Sequence, residues 1–172
     1  MKKIAVIGTH GIRKTTICHT IVARLKELGL NADILQEVAR RSPFPVNEGT
    51  TPEAQRWILH TQIALEIAAG VYRTDYLVCD RGSLDNYAYF ARAFGRDPVL
   101  DALVKEHTKT YSRVVYVPLT DAAFLEHDGF RSTDLNFQRI IDCKIQELLK
   151  DFEIPHVRFN GVDKLISDVI NY

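Results

Sequence analysis

Gly8-Thr9-His10-Gly11-Ile12-Arg13-Lys14-Thr15 is the stretch that decides the fold. A short apolar run, Ile4-Ala5-Val6-Ile7, precedes it, and Ile17, Ile21, Val22, Leu25 and Leu28 recur at helical spacing after it. The order is therefore buried strand, glycine-bearing loop, helix. Such a turn aims backbone N–H groups and a helix N-terminus at one point, which suits a phosphate. The pattern G-x-x-x-x-G-K-[ST] adds a lysine near the β/γ-phosphates and a hydroxyl that holds magnesium. On this reading Gly8, Thr9, His10, Gly11, Ile12, Arg13, Lys14, Thr15 and Thr16 form the cofactor-binding segment. Thr15 is the hydroxyl on the metal. Arg13 stands where the second glycine belongs. Two readings of it stay open: its Cβ crowds the phosphate and impairs nucleotide binding, or its side chain turns outward and adds a cation to a working loop.

Further along, apolar runs and helical stripes alternate. Ala32 to Gln36, Tyr76 to Cys79, Arg113 to Val117 and His156 to Phe159 read as strands. Between them, helices are expected from Thr51-Pro52-Glu53 onward, from about Ser83 to Phe94, from Pro98 to about Thr110 and from Thr133 to Asp151, with a last one over Val162 to Ile170. On the second helix the apolar stripe is Ala54, Trp57, Ile58, Thr61, Leu65, Ala68 and Tyr72. Alternation of this kind predicts an α/β fold, a five-stranded parallel sheet with helices on both faces. Ligands of such sheets sit at the carboxyl ends of the strands. Besides the loop, Glu37 to Arg41 and Asp80-Arg81 lie at those ends. Asp80 is the second metal candidate, because a carboxylate closing a strand beside such a loop directs magnesium.

Composition narrows the function classes. The chain has 172 residues, 46% hydrophobic and 26% charged, which are globular values. Lys plus Arg is 22 and Asp plus Glu is 22. A net charge of zero argues against a nucleic-acid polymer or an anionic membrane as partner, both of which call for a basic excess. Cys18, Cys79 and Cys143 are far apart and show no metal spacing. They read as buried free thiols, which fits a cytoplasmic location.

With these residues in place, the chain resembles the nucleoside and nucleotide kinase branch of P-loop NTPases. The likeness is to deoxynucleoside kinases, thymidylate-kinase-like proteins and small kinase-like ATPases of the nicotinamide-riboside kinase type, over about residues 3–150. It implies the three-layer P-loop fold, a single kinase-like domain over residues 1–172, and ATP and Mg2+ as cofactors. It implies phosphoryl transfer to a small acceptor, a nucleoside or nucleoside monophosphate. Glu37 matches the acidic residue that serves as general base after the second strand. Trp57 and Gln62 match a tryptophan and a base-reading glutamine. Asp80-Arg81-Gly82-Ser83, with Tyr87 and Phe90, resembles the acidic-Arg-Ser stretch and its following aromatic. Asp128-Gly129-Phe130-Arg131 resembles an arginine-bearing lid, about residues 120–135. The catalytic set implied is then Lys14, Glu37, Arg81 and Arg131. Substrate contacts fall to Glu37, Arg40, Arg41, Trp57, Gln62 and Arg81, with Arg40 and Arg41 suited to a phosphate on the acceptor. Related kinases are often dimers, which makes a homodimer the assembly implied. Arg13 keeps a competing reading open: a nucleotide-binding module, or an NTP hydrolase with water as acceptor.

Overall fold

The computed structural model describes residues 1–46, 49–120 and 134–170. Strand β1 (Lys2–Ile7) leads through the glycine loop into α1 (Lys14–Glu27). β2 (Ala32–Leu35) ends at a 3₁₀ turn over Val38–Arg41, and α2 (Pro52–Ala69) follows. Then come β3 (Tyr76–Asp80), α3 (Ser83–Phe94), α4 (Pro98–Thr108), β4 (Arg113–Tyr116), α5 (Leu135–Asp151), β5 (Val157–Arg158) and α6 (Val162–Ile170). The sheet order is β2-β3-β1-β4-β5, and every pairing is parallel.

The expected three layers are present. Ala5 and Ile7 on one face of β1 pack with residues of α2, α3, α4 and α5, whereas Ile4 and Val6 on the other face pack with α1 and α6. The alternation follows from the strand period of two. β1 lies between β3 and β4, with Val6 opposite Asp80 and Ile7 opposite Tyr116. The chain turns one way from β1 to build β2 and β3, and the later strands fall on the other side. The crevice at the carboxyl end of β1 is thus the switch point where ligands of such sheets bind.

Local signals set the helix ends. Thr51 accepts a hydrogen bond from the Ala54 N–H at 3.2 Å, with Pro52 as first helical residue, so α2 starts where the sequence places it. Gly29 follows α1 at φ 78°, and its N–H donates to the Lys26 carbonyl.

Two expectations are corrected by packing. Cys143 is exposed, while Cys18 and Cys79 are buried, because Cys143 sits on the outer side of α5. On α2 the buried residues are Ala54, Gln55, Ile58, Leu59, Gln62 and Glu66, whereas Tyr72 just beyond it is exposed. The inward face of this helix carries polar side chains that bond one another. Glu66, 1% exposed, accepts hydrogen bonds from Lys3 Nζ at 3.1 Å, His107 Nε2 at 2.8 Å, Tyr111 Oη at 2.8 Å and Gln62 Nε2 at 2.9 Å. Burial alone would raise its carboxyl pKa, but the bonds from His107 and Gln62 and the charge of Lys3 hold it below the ordinary value. No helix among the described residues is long and apolar enough to cross a membrane.

Candidate active site

The glycine loop is held by close packing at its first residue and by bonds to α5. Gly8 has φ 148°, and a Cβ there would lie 2.7 Å from both Ile12 Cδ1 and the Val117 carbonyl oxygen, so only glycine fits. Two bonds fasten the loop to α5: Thr9 Oγ1 donates to the Gln138 carbonyl at 2.9 Å, and Gln138 Nε2 donates to the His10 carbonyl at 2.7 Å. The His10 ring lies 3.2 Å from the Tyr89 hydroxyl and against the Phe137 ring. His10 thus shapes the loop from beneath.

Arg13 adopts φ 60° and ψ 27°, the left-handed region, and caps α1. Its backbone takes the conformation a glycine would supply, and the residue is exposed. The loop keeps its turn at a conformational cost of roughly 1–2 kcal/mol. Arg13→Gly is therefore expected to stabilise the fold by about 1 kcal/mol, checked by urea unfolding. A destabilised variant would show that the arginine side chain contributes more than its backbone strain costs.

Lys14, buried, donates from Nζ to the Thr9 carbonyl across the loop. Burial, then the charge of Arg81, brings its ammonium down to about 8 despite Asp85, Glu37 and Asp80 nearby. Thr15 Oγ1 donates to Asp80 Oδ2 at 2.6 Å, so the two metal candidates from separate elements meet. Both are hard oxygen ligands suited to magnesium, which keeps waters and phosphate oxygens for its remaining positions. No cluster of three or more His, Cys, Asp or Glu among the described residues offers a fuller protein cage.

Glu37 and Arg81 form the second half of the site. Arg81 Nε donates to Glu37 Oε1 at 2.5 Å, and Arg40 Nε donates to Glu37 Oε2 at 3.0 Å. Burial would raise Glu37, but the charges of Arg81 and Lys14 hold its carboxyl at about 2. Arg81 Nη1 approaches Asp85 Oδ2 at 3.4 Å, and the guanidinium lies 5.2 Å from the centre of the Tyr89 ring. Gly11, Ile12, Arg13, Lys14, Thr15, Glu37, Asp80 and Arg81 together line one small cavity of ≈ 10 Å³. A larger cavity of ≈ 700 Å³, between the end of α4, the start of β4 and the α5–β5 turn, lies at the opposite edge of the sheet from the loop.

The remaining sequence candidates divide. Arg40 and Arg41 are exposed on the 3₁₀ turn beside Glu37, and Thr16 is exposed on the first turn of α1. Trp57 is half-buried with its ring edge-on to Phe44 at 6.4 Å. Gln62 is 0% exposed and bonded to Glu66 and to the Arg81 carbonyl, so its amide is built into the α2–α3 interior. Tyr87 turns away from the loop to donate to Asp101 Oδ1 at 2.5 Å, and Tyr89 faces Arg81 in its stead. Arg131 and nearly all of the expected lid lie outside the described residues. Asp85 and Gln138 are not among the residues the sequence singles out, whereas of the alternating Tyr87 and Tyr89 it expects at most one to face the site. A carboxylate at the fourth position after Arg81, one helical turn on, was the available signal for Asp85.

Comparison with known proteins agrees with this architecture. Deoxyadenosine kinase from M. mycoides with bound dATP superposes with a TM-score of 0.65 at 16% identity, covering 99% of this chain and 98% of that one. The same kinase with bound dCTP gives 0.63 at 18% identity, covering 98% and 97%. The NadR protein in complex with NR gives 0.74 at 14% identity, covering 99% of this chain but 51% of that one. These likenesses establish the P-loop kinase-like fold. No curated protein matches. A family model described as an AAA domain matches residues 3–163. That match runs from β1 past β5, loop and strand-end carboxylates included, and the chain belongs to this AAA-domain family.

Proposed function

We propose that this chain is an ATP- and magnesium-dependent phosphotransferase whose acceptor is the hydroxyl of a nucleoside or nucleoside monophosphate. One observation carries the reading. A buried, ionised carboxylate, Glu37, is clamped by Arg81 beside the loop lysine at the carboxyl edge of the sheet. Phosphoryl transfer asks for positioning and cations around the transferring group, with one acceptor for the attacking hydroxyl's proton.

In this reading the amides of Gly8 to Thr16 seat the triphosphate, and Lys14 balances its charge. Thr15 and Asp80 hold magnesium, which when bound neutralises phosphate oxygens. Arg81 carries charge developing on the transferring group. Glu37, held at about 2 by its arginine, is a weak base as it stands. Its role is to align the acceptor hydroxyl and take the proton late, when an acceptor oxygen has replaced part of the Arg81 contact. Arg40 and Arg41, exposed next to Glu37, suit an acceptor that already carries a phosphate. The M. mycoides kinase of the same fold is described with dATP, dCTP and dCMP, which supports this substrate class.

Incubation with ATP, magnesium and a panel of nucleosides and nucleoside monophosphates tests the reading. ADP that appears only with an acceptor, together with the phosphorylated acceptor, supports it. ADP without an acceptor would replace it with a hydrolase.

Lys14 adds a pH prediction. Its ammonium sits at about 8 in the free protein, and a neighbouring triphosphate raises it. Binding above pH 8 then requires proton uptake. Affinity is full below about 8 and falls by up to ~tenfold per pH unit above it. Calorimetry at pH 7 and pH 9, in buffers of different ionisation enthalpy, should show weaker binding and proton uptake at the higher pH. Equal affinity with no proton transfer would contradict it.

A further inference from the structure

Arg81 is held in a backbone conformation that residues with a Cβ rarely adopt. Its φ is 85°. Such a conformation persists only when its surroundings over-determine it. The guanidinium is fixed by Glu37, Asp85 and the Tyr89 ring, and the Arg81 N–H donates to the Val6 carbonyl at 3.2 Å. That leaves the carbonyl side of the peptide, where the chain turns through Gly82 into α3.

Glu66 governs that side by two arms. Along the first, Gln62 Nε2 donates one hydrogen to Glu66 Oε1 at 2.9 Å and the other to the Arg81 carbonyl at 3.2 Å. An ionised carboxylate only accepts, so Glu66 dictates which end of the Gln62 amide faces it. The NH2 group must be there, and its second hydrogen then falls on Arg81. Gln62 Oε1 is buried with no partner among the described residues. A glutamine turned the other way would lose both bonds, so the unpaired oxygen is the consequence of this orientation. Along the second arm, Tyr111 Oη donates to Glu66 Oε1 at 2.8 Å and accepts from the Ser83 N–H at 2.9 Å. The Arg81-Gly82-Ser83 turn is thus gripped on both sides by groups that share one carboxylate oxygen. Lys3 and His107 hold the other oxygen, from β1 and α4.

We propose that Glu66, acting through Gln62 and Tyr111, is the positioning element that keeps the Arg81 backbone left-handed and so keeps its guanidinium registered on Glu37. The inference rests on the reading of Glu37 and Arg81 as the reacting-centre pair, and it gives Gln62 a task other than reading a base. None of the three residues touches substrate; each acts through Arg81.

Two near-isosteric variants, Gln62→Met and Tyr111→Phe, cut one arm each. The first readout is hydrogen exchange at Arg81 Nε–H, followed by nitrogen-15 NMR on the full chain. It is expected to be slow in the parent protein and at least ~tenfold faster in each variant. The second is a double-mutant cycle for turnover. Gln62→Met should lower kcat ~tenfold in the parent and less than twofold in an Arg81→Lys background, with KM for ATP unchanged. A merely structural role would lower the unfolding temperature, leave Arg81 exchange within twofold of the parent, and give equal losses of kcat in both backgrounds; any of the last two results overturns the proposal. If the parent transfers no phosphate to any acceptor, the phosphotransferase reading falls, and the exchange rates alone decide the positioning role. If Gln62→Met does not fold, Tyr111→Phe decides in the same way.

Discussion

Lys14→Met is expected to lower acceptor-dependent turnover by ~10²–10³ while leaving the protein at least as stable as its parent. The two effects have one cause. The ammonium is buried, and desolvation together with Arg81 brings it from 10.5 to about 8, so the folded state holds this charge at a cost. The sign follows from linkage. A lysine whose folded value lies below its unfolded value destabilises the fold fully below pH 8, and the penalty disappears as pH rises through 10.5. At neutral pH the penalty is on the order of 3 kcal/mol, from a shift of about 2.5 pH units at 1.36 kcal/mol each. Methionine fills the space without a charge. Unfolding by urea at pH 7 and pH 10 should show a stabilised variant whose advantage shrinks at the higher pH. A variant that loses turnover and also unfolds more readily would show that Lys14 holds the loop together rather than the triphosphate.

Glu37→Gln is expected to lower kcat by ~10²–10⁴ with ATP affinity within about twofold of the parent. Glutamine keeps an oxygen for the Arg81 Nε–H but takes no proton. Alanine would be the wrong probe, since it also removes the acceptor of the buried Arg81 Nε–H and leaves that donor unsatisfied, which costs ~1–3 kcal/mol or more. The folded value of about 2 sets the pH window. Glu37 contributes stability above pH 4.5 and loses it as pH falls through 2, so it stays ionised across any ordinary assay range. A kcat/KM–pH profile from pH 5 to 9, which reports the free enzyme, should therefore show no limb belonging to Glu37. Full turnover in Glu37→Gln would remove the carboxylate from the chemistry.

The layer order and the loop were legible because each is dictated locally. Strand β1, a glycine that admits no Cβ and a helix of correct spacing leave little choice, and Thr15 meeting Asp80 followed from both ending at the same edge of the sheet. The face of α2 was not legible. Apolar spacing selects Ala54, Trp57, Ile58 and Leu65 as the inward stripe, yet Gln62 and Glu66 are among the buried residues. Hydropathy treats a glutamate as exposed. It registers neither Lys3, His107 and Tyr111 arriving from three distant points in the chain nor the bonds that make burial tolerable. The same limit applies on α3, where Tyr87 and Tyr89 are alike in sequence. Asp101 on the next helix draws one away, and the Arg81 guanidinium lies over the other.

On the proposed function, the loop seats a triphosphate although Arg13 occupies a glycine position. Amide chemical shifts of residues 8–16, recorded as ATP and magnesium are added to the parent, Arg13→Gly and Lys14→Met, test it most directly. Saturable shifts are expected in the first two proteins and none in the third. Silent amides in the parent, and in Arg13→Gly as well, would contradict it.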